Sequence, residues 1–177
     1  MLAFAGHHWH LPPNPKWDVT GFGLGDFAHF GLVLVNLSDL PEYCEKLMYC
    51  ARPQRTPMHA HREKQEDIIC RMGTMAIEVM NSDGELNCLN EGRVRVLVNG
   101  VESELESGSR IHLMPGERIT LFAGVYHEFW PVSGFCIISE VSTRNDDLND
   151  NFFANKQIAR FDDVDEDAPA LYPLVSD

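Results

Sequence analysis

From Phe30 onward the chain alternates short apolar runs with turn residues. Phe30–Leu37, Lys46–Ala51, Glu66–Arg71 and Thr74–Met80 are the first four runs, the last two separated at Gly73. Arg93–Val98, Arg110–Met114, Arg118–Phe122, Glu128–Trp130 and Phe135–Val141 follow. Asn81-Ser82-Asp83-Gly84 is a turn signal, and Arg93–Val98 alternates basic and apolar residues up to Asn99-Gly100, a strong hairpin cue. No long stretch repeats with the 3.6-residue period of a helix, so the pattern predicts an all-β sandwich or barrel. Helix is confined to a turn or two at Ser38–Glu45, where Ser38 would cap and Pro41 would enter the first turn.

Before the first run, Pro12, Pro13 and Pro15 impose an extended lead-in. Gly21, Gly23 and Gly25 lie among aromatic and apolar residues, but no Lys-Ser/Thr follows and no strand-then-helix pattern brackets them, which argues against a phosphate loop. The expected organisation is one domain over residues 1–177: an extended segment at 1–28, a barrel at 29–142 and a tail packed on it at 143–177.

Composition narrows the function. At 177 residues, with 44% hydrophobic and 23% charged residues, the chain can support its own core. No apolar stretch is long enough for a membrane span, and Met1–His10 has no basic residue ahead of its apolar ones, so neither a membrane partner nor a secretory signal is expected. The five cysteines are odd in number and lack a two-residue spacing, which fits reduced, packed thiols in a cytoplasmic protein. A net charge of −13 disfavours a nucleic-acid partner. Part of that charge is the run Asp162, Asp163, Asp165, Glu166 and Asp167, read as a solvated tail. His7, His8 and His10 in the terminus are read as incidental.

The chemistry concentrates in Thr56–Asp67. His59 and His61, two apart, share one face of a strand. Glu66 opens the next apolar run, and a tight turn would bring its carboxylate back to them. His127, in Gly124-Val125-Tyr126-His127, supplies a third imidazole between two apolar runs. Three nitrogens and one carboxylate suit an octahedral divalent metal with two open positions, rather than a closed structural zinc site.

His-x-His-x4-Glu with a distant Gly-x-x-His resembles the two-part metal motif of the cupins, which implies a double-stranded β-helix, a jelly-roll barrel. A narrower resemblance, to the D-lyxose isomerases, runs along most of the chain. It is carried by Trp17–Phe27, Thr56–His59, Lys64–Ile69, Pro115-Gly116-Glu117, Val125–Trp130 and the polar tract Ser139–Asn151. The resemblance implies interconversion of D-lyxose with D-xylulose and of D-mannose with D-fructose. It also implies a neutral monosaccharide as partner and Mn²⁺ as the preferred ion, with Fe²⁺, Co²⁺, Ni²⁺ and Zn²⁺ as substitutes. The chain departs from the family at Ala60 and Arg62, at Arg71-Met72-Gly73-Thr74 and at Phe122-Ala123. These positions leave the ligands intact and bear on which sugar is preferred.

Aldose–ketose isomerisation needs an electrophile at the two substrate oxygens and a base at the carbon-bound proton. Glu140 shares a strand face with Cys136 and Ile138, and an acid pointing into a barrel needs a task or a partner. Glu140 is therefore the candidate carbon base, and Lys64, in the turn between His61 and Glu66, the candidate acid that moves the oxygen proton, with the reverse assignment as the alternative. The bland alternatives are a structural ion pair of Glu140 with Arg144 or Arg160, and an exposed turn lysine. Glu78, Tyr126, Phe129 and Arg144 are the candidate sugar contacts. The competing functions are another cupin metalloenzyme, such as an oxygen-consuming dioxygenase, and a non-enzymatic sugar-binding module. A homodimer is expected through the extended N-terminal segment, which can add to a partner's sheet edge.

Overall fold

A computed structural model describes residues 10–158 apart from residues 16 and 84–88. His7, His8, Gly84, Cys88, Arg160 and the acidic run at 162–167 lie outside the described residues. Fourteen strands are present and no helix occurs among the described residues, in keeping with the all-β expectation. They are β1 Trp17–Thr20, β2 Leu32–Asp39, β3 Cys44–Ala51, β4 His59–Ala60, β5 Glu66–Met72, β6 Met75–Ser82 and β7 Leu89–Asn90. Then come β8 Arg93–Val98, β9 Val101–Glu106, β10 Ser109–Leu113, β11 Arg118–Leu121, β12 Tyr126–Pro131, β13 Phe135–Ser142 and β14 Phe152–Phe153.

The strands form two antiparallel sheets. One has eight strands in the order β1-β2-β3-β13-β5-β11-β8-β9; the other has five on its main path, β10-β6-β12-β4-β14, with β7 beside β6. The large sheet is covered on both faces, which explains why β2, β3 and β13 read as nearly continuous apolar runs. Leu34, Met48, Cys136 and Ile138 face the main core, where they meet Met75, Ile77, Val79 and Phe129 of the small sheet. Val35, Leu47 and Ile137 face the other way and pack with Trp17. Burying a side chain of this size stabilises the fold by roughly 1.5–3 kcal/mol, and Leu47, Met75, Ile77, Ile137 and Ile138 are wholly buried, so packing defines the inner face of each strand.

The Ser38–Glu45 expectation of helix fails. Ser38 and Asp39 pair with Glu45 and Cys44 across a hairpin, closed by Leu40 N–H donating to Tyr43 O at 2.9 Å. The segment is too short to bury a helical stripe, and its flanking apolar runs demand a tight reversal. The Asn99-Gly100 signal holds. Both residues have positive φ, 51° and 79°, as a two-residue turn of this hand requires, and they join β8 to β9. β9 itself, Val-Glu-Ser-Glu-Leu-Glu, carries too few apolar residues to announce a strand; β8 supplies the backbone partners, and Arg95 pairs with Glu102.

Candidate metal centre and active site

The inner face of the small sheet brings the histidines together. β12 pairs with β4 so that His127 lies directly opposite His59, and Phe153 of β14 flanks His59 on the other side. The His59 and His127 ring centroids are 4.2 Å apart, and His61, one face-repeat beyond His59, lies 5.2 Å from His59 and 5.8 Å from His127. One ligating atom from each of the three falls within 4.8 Å of the others.

Each ring is fixed by its Nδ1. His59 Nδ1 contacts Pro57 O at 2.8 Å, His61 Nδ1 contacts Asp150 O at 2.6 Å, and His127 Nδ1 contacts Val125 O at 3.2 Å. A carbonyl oxygen only accepts, so each Nδ1 carries a proton and Nε2 is each ring's remaining ligating atom. This is how backbone carbonyls orient metal-binding imidazoles. His61 Nε2 is buried with no hydrogen-bond partner. Such a group is costly unless something else satisfies it, and a cation does. Burial first, then the neighbouring His127 and His61, hold His59 well below the usual histidine range, so it stays neutral and able to ligate a cation.

Glu66, the first residue of β5, faces the same space. Its carboxylate lies 2.9 Å from His127 Nε2, 3.5 Å from His61 Nε2 and 2.8 Å from Lys64 Nζ, yet neither oxygen has a partner in hydrogen-bond geometry. Burial pushes its carboxyl upward, but the Lys64 ammonium and the two imidazoles outweigh that and hold it well below the carboxylate range. An anionic oxygen donor beside three imidazole nitrogens fits a divalent cation of the borderline kind.

Glu140 projects from the inner face of β13 opposite Lys46 of β3. Lys64 Nζ donates to Glu140 Oε1 at 2.9 Å, and Lys46 Nζ lies 3.5 Å from the same oxygen. Burial raises the Glu140 carboxyl, but Lys46 and then Lys64 overcome it, and the group is lowered overall. Burial opposes the charge on Lys64, but Glu140 and Glu66 reverse that and hold the ammonium well above its ordinary range. Lys64 is 5% exposed, so it is not an exposed turn lysine, while Glu140 does sit in a buried ion pair, with Lys46 and Lys64 as its partners.

His59, His61, His127, Lys46, Lys64 and Glu140 line one cavity of about 590 Å³, counting its open mouth. Phe22, Leu32, Leu34, Met48, Phe129 and Phe153 form apolar walls, and Asp18, Thr20, Lys46, Asp147 and Asn151 add polar ones. Of the four expected sugar contacts, Phe129 alone lines this cavity. Tyr126 has the opposite strand parity to His127 and packs with Ala60, near Met58 and Phe152. Glu78 is on the outer face of the small sheet, opposite Glu128, and accepts from Arg110 Nε at 2.6 Å. Arg144 is exposed and outside the cavity lining.

Two functional positions escaped the sequence reading. Lys46 had a signal, a charge that shares a strand face with the apolar Met48 and Cys50. Asp150 had none beyond its place in a polar tract. Its carboxylate accepts from the N–H groups of Arg62 at 2.7 Å, Glu63 at 3.2 Å and Lys64 at 2.9 Å, and its carbonyl takes His61.

The family model described as D-lyxose isomerase matches residues 14–177. The chain belongs to the D-lyxose isomerase family. Among relatives of the family, the D-lyxose/D-mannose isomerase of Serratia proteamaculans is 43% identical over 169 residues, covering 89% of this chain and 73% of that one. The D-lyxose/D-mannose isomerase of Escherichia coli O157:H7 is 38% identical over 172 residues, covering 91% and 75%. The family fold also extends to the L-ribose isomerase of Cellulomonas parahominis, solved with L-psicose. That structure has a TM-score of 0.65 at 16% identity and covers 88% of each chain, which establishes the cupin-like architecture.

Proposed function

We infer that the protein is a divalent-metal-dependent aldose–ketose isomerase that interconverts D-lyxose with D-xylulose and D-mannose with D-fructose. The observation that carries this reading is the buried Lys64–Glu140 pair, 2.9 Å apart, in the cavity that holds three inward-facing imidazole nitrogens. Membership of the family and the substrates named for its curated relatives supply the sugar.

His59, His61, Glu66 and His127 would hold the metal, with Mn²⁺ as the resident ion. When bound there, the metal would supply Lewis acidity at the substrate's carbonyl and hydroxyl oxygens. Glu140, kept as a carboxylate by Lys46 and Lys64, takes the C2 proton of the aldose. The Lys64 ammonium protonates O1 as negative charge develops there, giving the enediol. Lys64, now neutral, accepts the O2 proton, and Glu140 returns its proton to C1. The ketose leaves with both residues restored, and no oxidant or reductant is consumed. Phe22, Phe129 and Phe153 offer apolar surface to the sugar's C–H faces and keep water from the enediol.

A homodimer is part of the same proposal. The extended N-terminal segment can add to a partner's sheet edge, and β1, into which it leads, is the outer strand of the large sheet. A cytoplasmic setting is supported by Cys44, Cys50, Cys70 and Cys136, all buried free thiols.

The test is a panel of aldoses and ketoses incubated with purified protein and Mn²⁺ under anaerobic conditions, followed by NMR before and after chelation. Interconversion of D-lyxose and D-xylulose that stops on chelation is expected. Failure to convert any sugar, or a requirement for O₂, overturns the reading.

A further inference from the structure

Lys46 is a buried charge on the inner face of β3, its side chain 4% exposed. Desolvating an ammonium costs several kcal/mol unless its hydrogen bonds and charge are fully met. Three groups meet them. The cross-strand register sets Lys46 opposite Glu140, whose Oε1 lies 3.5 Å from Nζ. Asn145 Oδ1 accepts from Nζ at 2.8 Å and Asp147 Oδ1 at 3.1 Å. Asn145 Nδ2 in turn donates to Asp147 Oδ2 at 3.0 Å, so the acceptors are themselves held.

Residues 145–150 thus touch the active site at both ends. One end is pinned to Glu140 through Lys46. At the other, Asp150 binds the backbone of the turn carrying Lys64 and the imidazole of His61. Between them Asp150 N–H donates to Asp146 O at 2.9 Å, which makes the segment one compact turn.

We propose that Lys46 is a positioning residue: it clasps residues 145–150 to the Glu140 carboxylate and so fixes the proton-transferring pair in register with the metal-binding histidines. The proposal rests on the isomerase reading for its effect on turnover, but the clasp is a physical linkage that exists without turnover. Proton transfer needs heavy atoms within hydrogen-bond reach, so a displaced carboxylate lowers kcat more than it raises KM.

The experiment compares wild type, Lys46→Met, Lys46→Arg and Asp147→Asn. Lys46→Met should lower kcat by roughly 10- to 100-fold with KM changed less than about threefold and bound Mn²⁺ unchanged. Lys46→Arg should recover a large part of that loss. Hydrogen exchange at residues 145–150 should quicken in Lys46→Met and in Asp147→Asn, with or without sugar. The Asp147 variant keeps Lys46 and its pair with Glu140, so it reports on the clasp if Lys46→Met does not fold. Unchanged exchange in the variants overturns the clasp even if the wild type is inactive. A rise in KM alone would make Lys46 a sugar contact and overturn the positioning role. An inert wild type with faster exchange in the variants would instead remove the isomerase reading and leave the linkage.

Discussion

Lys64 and Glu140 are 76 residues apart in sequence, yet Lys64 Nζ donates to Glu140 Oε1 at 2.9 Å inside the cavity. β13 lies beside β5 with Glu140 opposite Ile68, and the turn before β5 carries Lys64 over the same inner face. The pair is buried, so each member's charge depends on the other, and removing one strands its partner. A carboxylate and an ammonium in one hydrogen bond are a ready base and acid for moving a proton between adjacent atoms.

Glu140→Gln keeps the shape and the hydrogen-bond acceptor but removes the base. It should lower kcat by about 10²–10⁴ while bound Mn²⁺ stays stoichiometric. Turnover by coupled assay and metal content by atomic emission check this together. Turnover near the wild-type level would take Glu140 out of the mechanism.

The metal-free protein should lose stability on mild acidification, through His59. Its folded pKa is depressed, so below about pH 6.5 the unfolded chain binds a proton that the folded one refuses. Stability then falls as pH falls, by up to about 1.4 kcal/mol per pH unit for this one group. Glu66, whose folded pKa is also depressed, contributes stability that is present above its unfolded value near 4.3 and lost at lower pH. Urea unfolding between pH 7 and 5 in the presence of chelator should show the first slope in wild type and its absence in His59→Gln.

Metal should stabilise the fold by mass action, because the site draws ligands from β4, β5 and β12 and exists only in the folded chain. At 100 times the dissociation constant the gain is about 2.7 kcal/mol. A thermal scan with and without Mn²⁺ should show this rise in wild type. His127→Ala should abolish the rise, and if it does not, His127 is no ligand.

How legible was all this? The core strands were, because apolar runs of four to eight residues between turn residues can bury themselves in few ways. The His59, His61 and His127 group that could hold a metal was legible because His59 and His61 differ by two, and a period of two keeps them on one face. Tyr126 and Glu78 went wrong by the same rule. Each sits at odd separation from an inward residue, Tyr126 from His127 and Glu78 from Val79, and parity alone sends them outward. Asp150 was not legible, since its role is to accept three backbone N–H groups from a turn 86 to 88 residues earlier, and no local pattern records that.

Gly73 marks a place where the backbone leaves no room. Its φ is +78°, and an added Cβ would run into Phe135 O and Ser133 Oγ. Gly73→Ala should therefore destabilise by well over about 1 kcal/mol, since strain and a backbone clash act together. Denaturant midpoints measure this. By contrast Gly116→Ala, at a φ of +94° in open space, should cost only the conformational strain.

Asp150 offers the sharpest separation of scaffold from chemistry. Asp150→Ala removes the acceptor for the N–H groups of Arg62, Glu63 and Lys64 but keeps the backbone carbonyl that holds His61. A buried donor left unsatisfied costs about 1–3 kcal/mol, and water entering at the turn relieves part of it, so a loss of about 2 kcal/mol is expected. The turn that carries Lys64 loosens while the imidazoles stay tethered, so kcat should fall by roughly tenfold or more with Mn²⁺ affinity changed far less. Asp150→Asn keeps one oxygen and should lie between. Loss of metal in parallel with loss of turnover would instead mean that the Asp150 side chain supports the ligands directly, and that the two halves of the site are not separable.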